Sequence, residues 1–412
     1  MVTKEEIKLL RALAGEYGRL TQDEIQQDAI RRMRATNDLQ IVRPPVLMDE
    51  IPWFEFDQCQ ELALQCTDEP ARSMEQYFRR AIYRRKHFAC DSLMTPYYPV
   101  AKAFTSTGNG LGTKENTRVT DARNNIISHE YLDVLPDEAA LEKMHLPVVT
   151  VYPEKDAENL AQVQEILGDT LEARLQGQGI YYAPWDVIPR LHGVQNCFVD
   201  MVERPEFMHK VIQAFTEQGK ALYDQYEALG LLDANIPSLH CTPSYITGCP
   251  EKEGTPTPHK KKDLWFRSMA QMFTSVSPKM HWEFDLQYSL PMMKEYAFTY
   301  YGCCEALDNK IDMLKKIPNL RKLGVSPWAD PEVCAQQMGG IYVASRKPNP
   351  ALVATTADPA AIAAETEETV KACQKYGTPL EFILKDISTV GCKAENLEIW
   401  SKTVTDVLKR YY

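Results

Sequence analysis

Apolar positions recur every three to four residues through KEEIKLLRALAGEYGRL and onward, which predicts one or two amphipathic helices over residues 4–35. A Pro-containing apolar segment, VRPPVLMDEIPWFEF (42–56), breaks that spacing, and a second helical pattern over 68–87 is rich in Arg and Glu. From about residue 90 short apolar or aromatic runs alternate with helical stretches. The runs are LMTPYYPV (93–100), PVVTVYP (147–153), GIYYAPWDVI (179–188), IPSLHCTPSY (236–245), FTYYGCCE (298–305), LRKLGVSPW (320–328), IYVASRKP (341–348) and LEFILKDIS (380–388). The helical stretches include AENLAQVQEILGDTLEARL, PEFMHKVIQAFTEQGKALYDQYEALG, DPEVCAQQMG and ENLEIWSKTVTDVLKRY. Strands alternating with helices predict parallel βαβ units, because a parallel strand is reached only by a crossover.

About eight such strands close most simply into a barrel that leaves no edge. The expected fold class is therefore α/β: a (β/α)8 TIM barrel over residues 91–412, with residues 1–90 as an N-terminal helical extension packed on it. An open doubly wound sheet is the competing architecture. No GxGxxG or Walker A sequence opens a helix, and STGNGLGTKEN (106–116) reads as a loop.

Composition narrows the function. With 44% hydrophobic residues the chain can fill a large core, and a net charge of -11 opposes a nucleic-acid partner, whose phosphates need a concentrated basic surface. The runs RRAIYRRK (79–86) and HKKKD (259–263) read as solvated faces, and TPTPHKKKD (255–263) as an exposed connection. No stretch is apolar enough for a signal peptide or a membrane span, so the expected location is the cytoplasm. Eleven scattered cysteines with no CxxC spacing predict buried thiols rather than a disulfide framework or a zinc ribbon.

A parallel barrel builds its site at the C-terminal ends of the strands. Those ends supply Tyr98, Tyr152, Trp185, Asp186, His240, Cys303, Glu305, Trp328, Lys347, Asn349 and Asp386, an aromatic and mildly acidic set suited to a planar organic ligand. Strand alternation predicts that Tyr301, Cys303 and Glu305 face the site together, while Cys304 faces the helices. A free cysteine is most often a small core hydrophobe; Cys303 stands out by its strand-end position beside Glu305. His240 is a candidate ligand or acid, and Asp386, straight after an apolar run, needs a partner, a metal or a ligand. Its neighbour Lys385, of opposite parity, is expected to face out. HWEFD (281–285) starts a helix after Ser277-Pro278 and reads as structural, while His192 is placed at the rim.

The order of segments resembles the uroporphyrinogen decarboxylase superfamily, which includes zinc-dependent methylcobalamin:coenzyme M methyltransferases. The similar pieces are WDVIPRLHGVQNCFVDMVERPEFMHKVIQAFTE (185–217), SVSPKMHWEFDLQYSLPMMKE (275–295), FTYYGCCEALDNKI (298–311), LGVSPWADPEVCAQQMGGIYVASRKPNPALV (323–353) and LEFILKDISTVGCKAENL (380–397). The methyltransferase members hold zinc with a His-x-Cys pair at a strand end and a late cysteine. Here Cys303 matches, Tyr301 stands at the histidine position and Asp386 at the late cysteine, so the resemblance implies a zinc candidate set of Cys303, His240, Glu305 and Asp386. The decarboxylase members use paired N-terminal arginines in a glycine-containing motif; Arg79, Arg80, Arg84 and Arg85 are the nearest substitutes, at helix-surface spacing.

The leading expectation is a cobamide-linked methyltransferase that moves a methyl group between a small substrate, an aryl methyl ether first, and a separate corrinoid protein. In it Asp386, Glu305 and His240 are the catalytic candidates, and Tyr98, Tyr152, Trp185, Asp186, Tyr301, Trp328, Lys347 and Asn349 the substrate-binding ones. The alternatives are a cofactor-free decarboxylase of a carboxylated, tetrapyrrole-like substrate and a non-catalytic corrinoid- or tetrapyrrole-binding protein.

Overall fold

The structure, a computed structural model, describes residues 2–56, 58–119, 126–249 and 258–412. In chain order its first strands are β1 (Val46–Met48), β2 (Tyr98–Ala101), β3 (Phe104–Ser106), β4 (Lys114–Arg118), β5 (Ser128–Leu132), β6 (Val149–Val151) and β7 (Ala173–Gln176). There follow β8 (Ile180–Tyr182), β9 (Trp265–Ser268), β10 (Phe298–Tyr301), β11 (Leu320–Val325), β12 (Val343–Arg346) and β13 (Leu380–Leu384).

Seven of these form one parallel sheet in the order β1-β13-β12-β11-β10-β9-β8. The order is singly wound, with the first strand beside the last and no switch point, which removes the doubly wound alternative. The sheet is curled: Lys322 on β11 reaches Glu381 on β13 across β12, with Nζ 2.8 Å from Oε2. The ladder does not close into a ring. The parallel pair β2/β7 stands as a sheet of its own, and Asp91 N–H bonds to the Val46 carbonyl of β1 at 2.7 Å.

Both faces of the sheet are buried, as parallel strands covered by helices require. Phe266, Tyr301, Leu323, Ala344 and Phe382 face the helix layer and form the main core with residues such as Trp400 and Leu408 of the helix Glu395–Tyr411. The alternate residues Arg267, Tyr300, Lys322, Ser345 and Glu381 are also buried, and they meet one another inside the curl.

Four expected strands, within 298–305, 320–328, 341–348 and 380–388, lie in this sheet, together with the start of 179–188. Runs 93–100 and 147–153 instead pair outside it, as β2 with β7 and β6 with β3. Run 236–245 is a loop: His240 and Cys241 have φ of 46° and 68°, and Leu239 N–H bonds back to the Thr242 carbonyl at 2.7 Å. That loop pushes Thr242 into the curl, where its hydroxyl accepts from Lys322 Nζ at 2.8 Å and donates to Glu381. The end of STGNGLGTKEN forms β4, which pairs antiparallel with β5 as an exposed hairpin. Residues 255–257 of the expected connection lie outside the described residues, and Lys261 within it is buried, paired with Asp224 and with Glu295 at 2.6 Å.

The first 90 residues contribute more than a helical cover, because Val46–Met48 is β1 of the sheet. The helix Lys4–Gln22 packs Leu10, Ala14 and Tyr17 against Met74 and Phe78 of the helix Glu69–His87. Arg32 clamps Asp91 with two bonds, 3.0 and 2.6 Å, and Asp91 in turn accepts Val46 N–H at 2.9 Å. Among the described residues no helix is long and apolar enough to cross a membrane.

Glu381 accepts from Lys322, Ser345 and Thr242 in a fully buried setting. Removing one partner of such a pair strands the other charge, so Glu381→Ala is expected to lower the unfolding free energy in urea by about 3–5 kcal/mol. The double change Lys322→Met, Glu381→Leu is expected to recover most of that loss.

Candidate functional site

The C-terminal strand ends converge on Cys303. β10 stops at Tyr301, and Gly302, at φ 90°, bends the chain there. A side chain at 302 would strike Leu307, so this bend needs glycine. The bend, and not strand alternation, sends Cys303 away from Tyr301. Tyr301 faces the helix layer, donating to Asp285 at 2.6 Å and meeting His281 Nε2 at 2.5 Å. HWEFD thus serves as a structural anchor, capped at Ser277 as the sequence predicts. His192 is buried and pairs with Asp200 at 2.7 Å.

Cys303 packs between Ala183 and Met269, and its sulfur lies 3.2 Å from Lys385 Nζ and 3.6 Å from the Cys304 sulfur. Hydrogen bonding from the Cys241 thiol, with a smaller effect from His240, holds its pKa far below the ordinary thiol range against the opposing effect of burial, and the Arg267 guanidinium adds to this. Burial opposes the charge on Lys385, but the Cys303, Cys241 and Cys304 sulfurs outweigh it and raise the ammonium's pKa. Cys303 is therefore biased toward its thiolate, with the Lys385 ammonium beside it.

Lys385 corrects the parity expectation. Glu381, Ile383 and Lys385 share the inner face of β13, and two charged residues at i and i+4 in an apolar run were the available signal. Asp386 comes back to the mouth because its own backbone turns, at φ 57°. It is exposed, accepts from the Cys304 thiol at 2.9 Å, lies 3.3 Å from Lys385 and takes its N–H bond to Glu50 at 2.8 Å. Cys304, expected to face the helices, is therefore part of the mouth. Arg267, on the short strand WFRS that periodicity misses, stacks on Tyr300 at 3.9 Å with no carboxylate beside its Nε.

A cavity of about 920 Å³ opens directly after β8, walled by Tyr131, Tyr181, Tyr182, Trp185 and Met272. Asp186 lies on its wall. Burial raises the Asp186 pKa, while Gln271 at 3.0 Å and Tyr181 at 3.2 Å donate to the carboxylate. Trp185 is held by its indole N–H on the Phe284 carbonyl, 3.0 Å, and by the Phe273 ring. The cavity shares Ala183 with the surroundings of Cys303, and the Tyr181 ring meets His240 edge-on at 5.1 Å.

The other candidates are dispersed. Tyr98 packs with Tyr77 and Phe78 in the N-terminal core, and Tyr152 is exposed and bonded to Thr105 at 3.0 Å. Asn349 accepts Ala351 N–H at 3.0 Å, a turn-forming role. Lys347 is buried against Tyr300 and Ser345, while Trp328, after β11, is 70% exposed. Glu305 is fully buried and accepts the backbone N–H of Cys303 at 2.8 Å and of Ala270 at 3.2 Å, which orients the bend rather than the pocket.

Zinc asks for three or four ligands converging at about 2.0–2.3 Å. Among the described residues no three of His, Cys, Asp and Glu converge to hold a metal ion. Glu305 is committed to backbone donors, and the Lys385 ammonium stands against the sulfur a metal would take. As arranged, Cys303, His240, Glu305 and Asp386 do not fit zinc.

No family model matches the chain, and no curated protein matches it. Among solved structures, the chain is similar to a methyltransferase from Methanosarcina mazei, with a TM-score of 0.49 at 12% identity, over 92% of this chain and 98% of that one.

Proposed function

We propose that this protein is a methyltransferase that cleaves a small aromatic methyl ether bound in the cavity after β8 and passes the methyl group to a cobamide carried by a separate corrinoid protein. The observation that carries the reading is Asp186, a carboxyl biased toward its protonated form on the wall of an aromatic cavity. Breaking a methyl–oxygen bond leaves an oxyanion, and a carboxyl whose pKa is raised by burial is suited to supply a proton as the bond breaks. Tyr181 and Gln271 hold that carboxyl in place, and Trp185 and Tyr182 give the ring its walls. A reduced cobamide supplies the nucleophile for the methyl group. Trp328, exposed at the same strand ends, supports a partner surface there, since an exposed Trp is a common anchor of interfaces.

The cationic interior favours a second reading, a decarboxylase whose substrate carboxylate is drawn by Arg267 and Lys347. The two part in one assay. With a reduced corrinoid protein and a panel of methoxylated aromatics, the methyltransferase forms the phenol and changes the cobamide spectrum; carbon dioxide release without corrinoid would sink the reading.

Asp186→Asn is expected to lower turnover by about 10²–10⁴-fold. Because the Asp186 pKa is raised, the donor is present below it and lost above it, so turnover should fall as pH rises through it. That alkaline limb should vanish in the Asn variant.

The zinc expectation has its own check in elemental analysis of protein purified without chelator. Substoichiometric zinc, unchanged by Cys303→Ser, is expected from the donor arrangement. Stoichiometric zinc lost in that variant would restore Cys303 as a metal ligand.

A further inference from the structure

The thiols at the mouth carry a chemistry that ether cleavage at Asp186 does not use. Cys303 and Cys304 follow β10 in a bend outside helix and strand, with their sulfurs 3.6 Å apart. The Lys385 ammonium lies 3.2 Å from Cys303, and the Cys304 thiol donates to Asp386 at 2.9 Å. Cys303 itself is fully buried, and the pair meets solvent through Cys304, half-buried, and Asp386, exposed. An anionic sulfur beside a cation, a second sulfur close by and a carboxylate placed to take its proton are the parts of a peroxide-reactive pair.

We propose that Cys303 and Cys304 form a redox pair, oxidised by hydrogen peroxide to a vicinal disulfide. The Cys303 thiolate attacks one peroxide oxygen and the O–O bond breaks, giving the sulfenic acid and hydroxide. The Cys304 sulfur then attacks the Cys303 sulfur as its proton passes to Asp386, and the hydroxyl leaves, protonated to water. One thiolate and one thiol lose two electrons and one proton, and one peroxide becomes one water and one hydroxide, which solvent neutralises. The sulfurs must close from 3.6 Å to about 2.0 Å, a movement that the bend after Gly302 permits without disturbing a ladder. Oxidation removes the negative charge facing Lys385 and Arg267 and so changes the electrostatics of the mouth.

The full chain is exposed to a small excess of hydrogen peroxide, denatured, alkylated with iodoacetamide and digested with trypsin. Both cysteines fall in one peptide, residues 295–310. The expected product is that peptide two hydrogens lighter and unalkylated, returned to double alkylation by dithiothreitol. In Cys304→Ser the reaction should stop at a Cys303 sulfenic acid that dimedone traps. Lys385→Met should slow the first step, because the cation 3.2 Å from the attacking sulfur is lost, and Lys385→Arg should restore the rate. Full double alkylation of 295–310 after peroxide would overturn the proposal, as would a cross-link to peptide 221–252, which carries Cys241. The readout needs no substrate, so its failure leaves ether cleavage at Asp186 untouched.

Discussion

Charge balance inside the curled sheet is the constraint on which the rest of the molecule depends. Arg267, Lys322, Lys347 and Lys385 are all buried there, and a buried cation without a counter-charge is costly. Glu381 answers Lys322, with Thr242 and Ser345 filling its remaining acceptor positions. Tyr300 presents its hydroxyl to Lys347 and its ring to Arg267. Cys303 supplies the negative charge for Lys385 and shares in that for Arg267. The Cys303 sulfur is thus part of the balance that lets this buried interior stay polar.

The mouth is built under backbone strain. Glu50, His240, Cys241 and Asp386 all have positive φ, a left-handed conformation that costs a residue with a side chain about 1–3 kcal/mol. Each strained residue returns a side chain or backbone group to the cluster around Cys303. Cys241 bonds to Cys303, Asp386 accepts from Cys304, and Glu50 accepts from Asp386 N–H. The loop carrying His240 and Cys241 also plugs the curl through Thr242, so the same insertion supports both the charge pair and the thiol cluster.

Two chemistries then lie side by side at the strand ends. The cavity after β8 is aromatic and holds a carboxyl with a raised pKa; the neighbouring cluster is cationic and holds a thiol with a lowered one. Ala183 lines the cavity and packs beside Cys303, so the two adjoin through it. Opposite shifts in adjacent groups follow from opposite surroundings: burial disfavours the Asp186 carboxylate, while hydrogen bonding from the Cys241 thiol, with the Arg267 guanidinium behind it, favours the thiolate.

By itself the sequence determined most of the alternation of elements from β8 onward, the helical stretches over 4–35 and 68–87, and the group of polar strand ends that includes Asp186, Cys303 and Asp386. These are legible because helix and strand spacing depends on which residues must be buried, and that is written locally. The tertiary structure decided which strand ends meet. β1 and β9 are too short to show a period, and run 236–245 is apolar enough for a strand yet is drawn into left-handed turns by Lys322 and Glu381. Tyr301 and Lys385 follow the alternation of their strands; parity failed at Cys303 and Asp386, because a glycine bend at 302 and a turn at 386 change direction where alternation assumes none. The thiolate has the same origin: its state depends on Cys241, His240, Arg267 and Lys385, residues from three other segments whose convergence only the folded sheet produces.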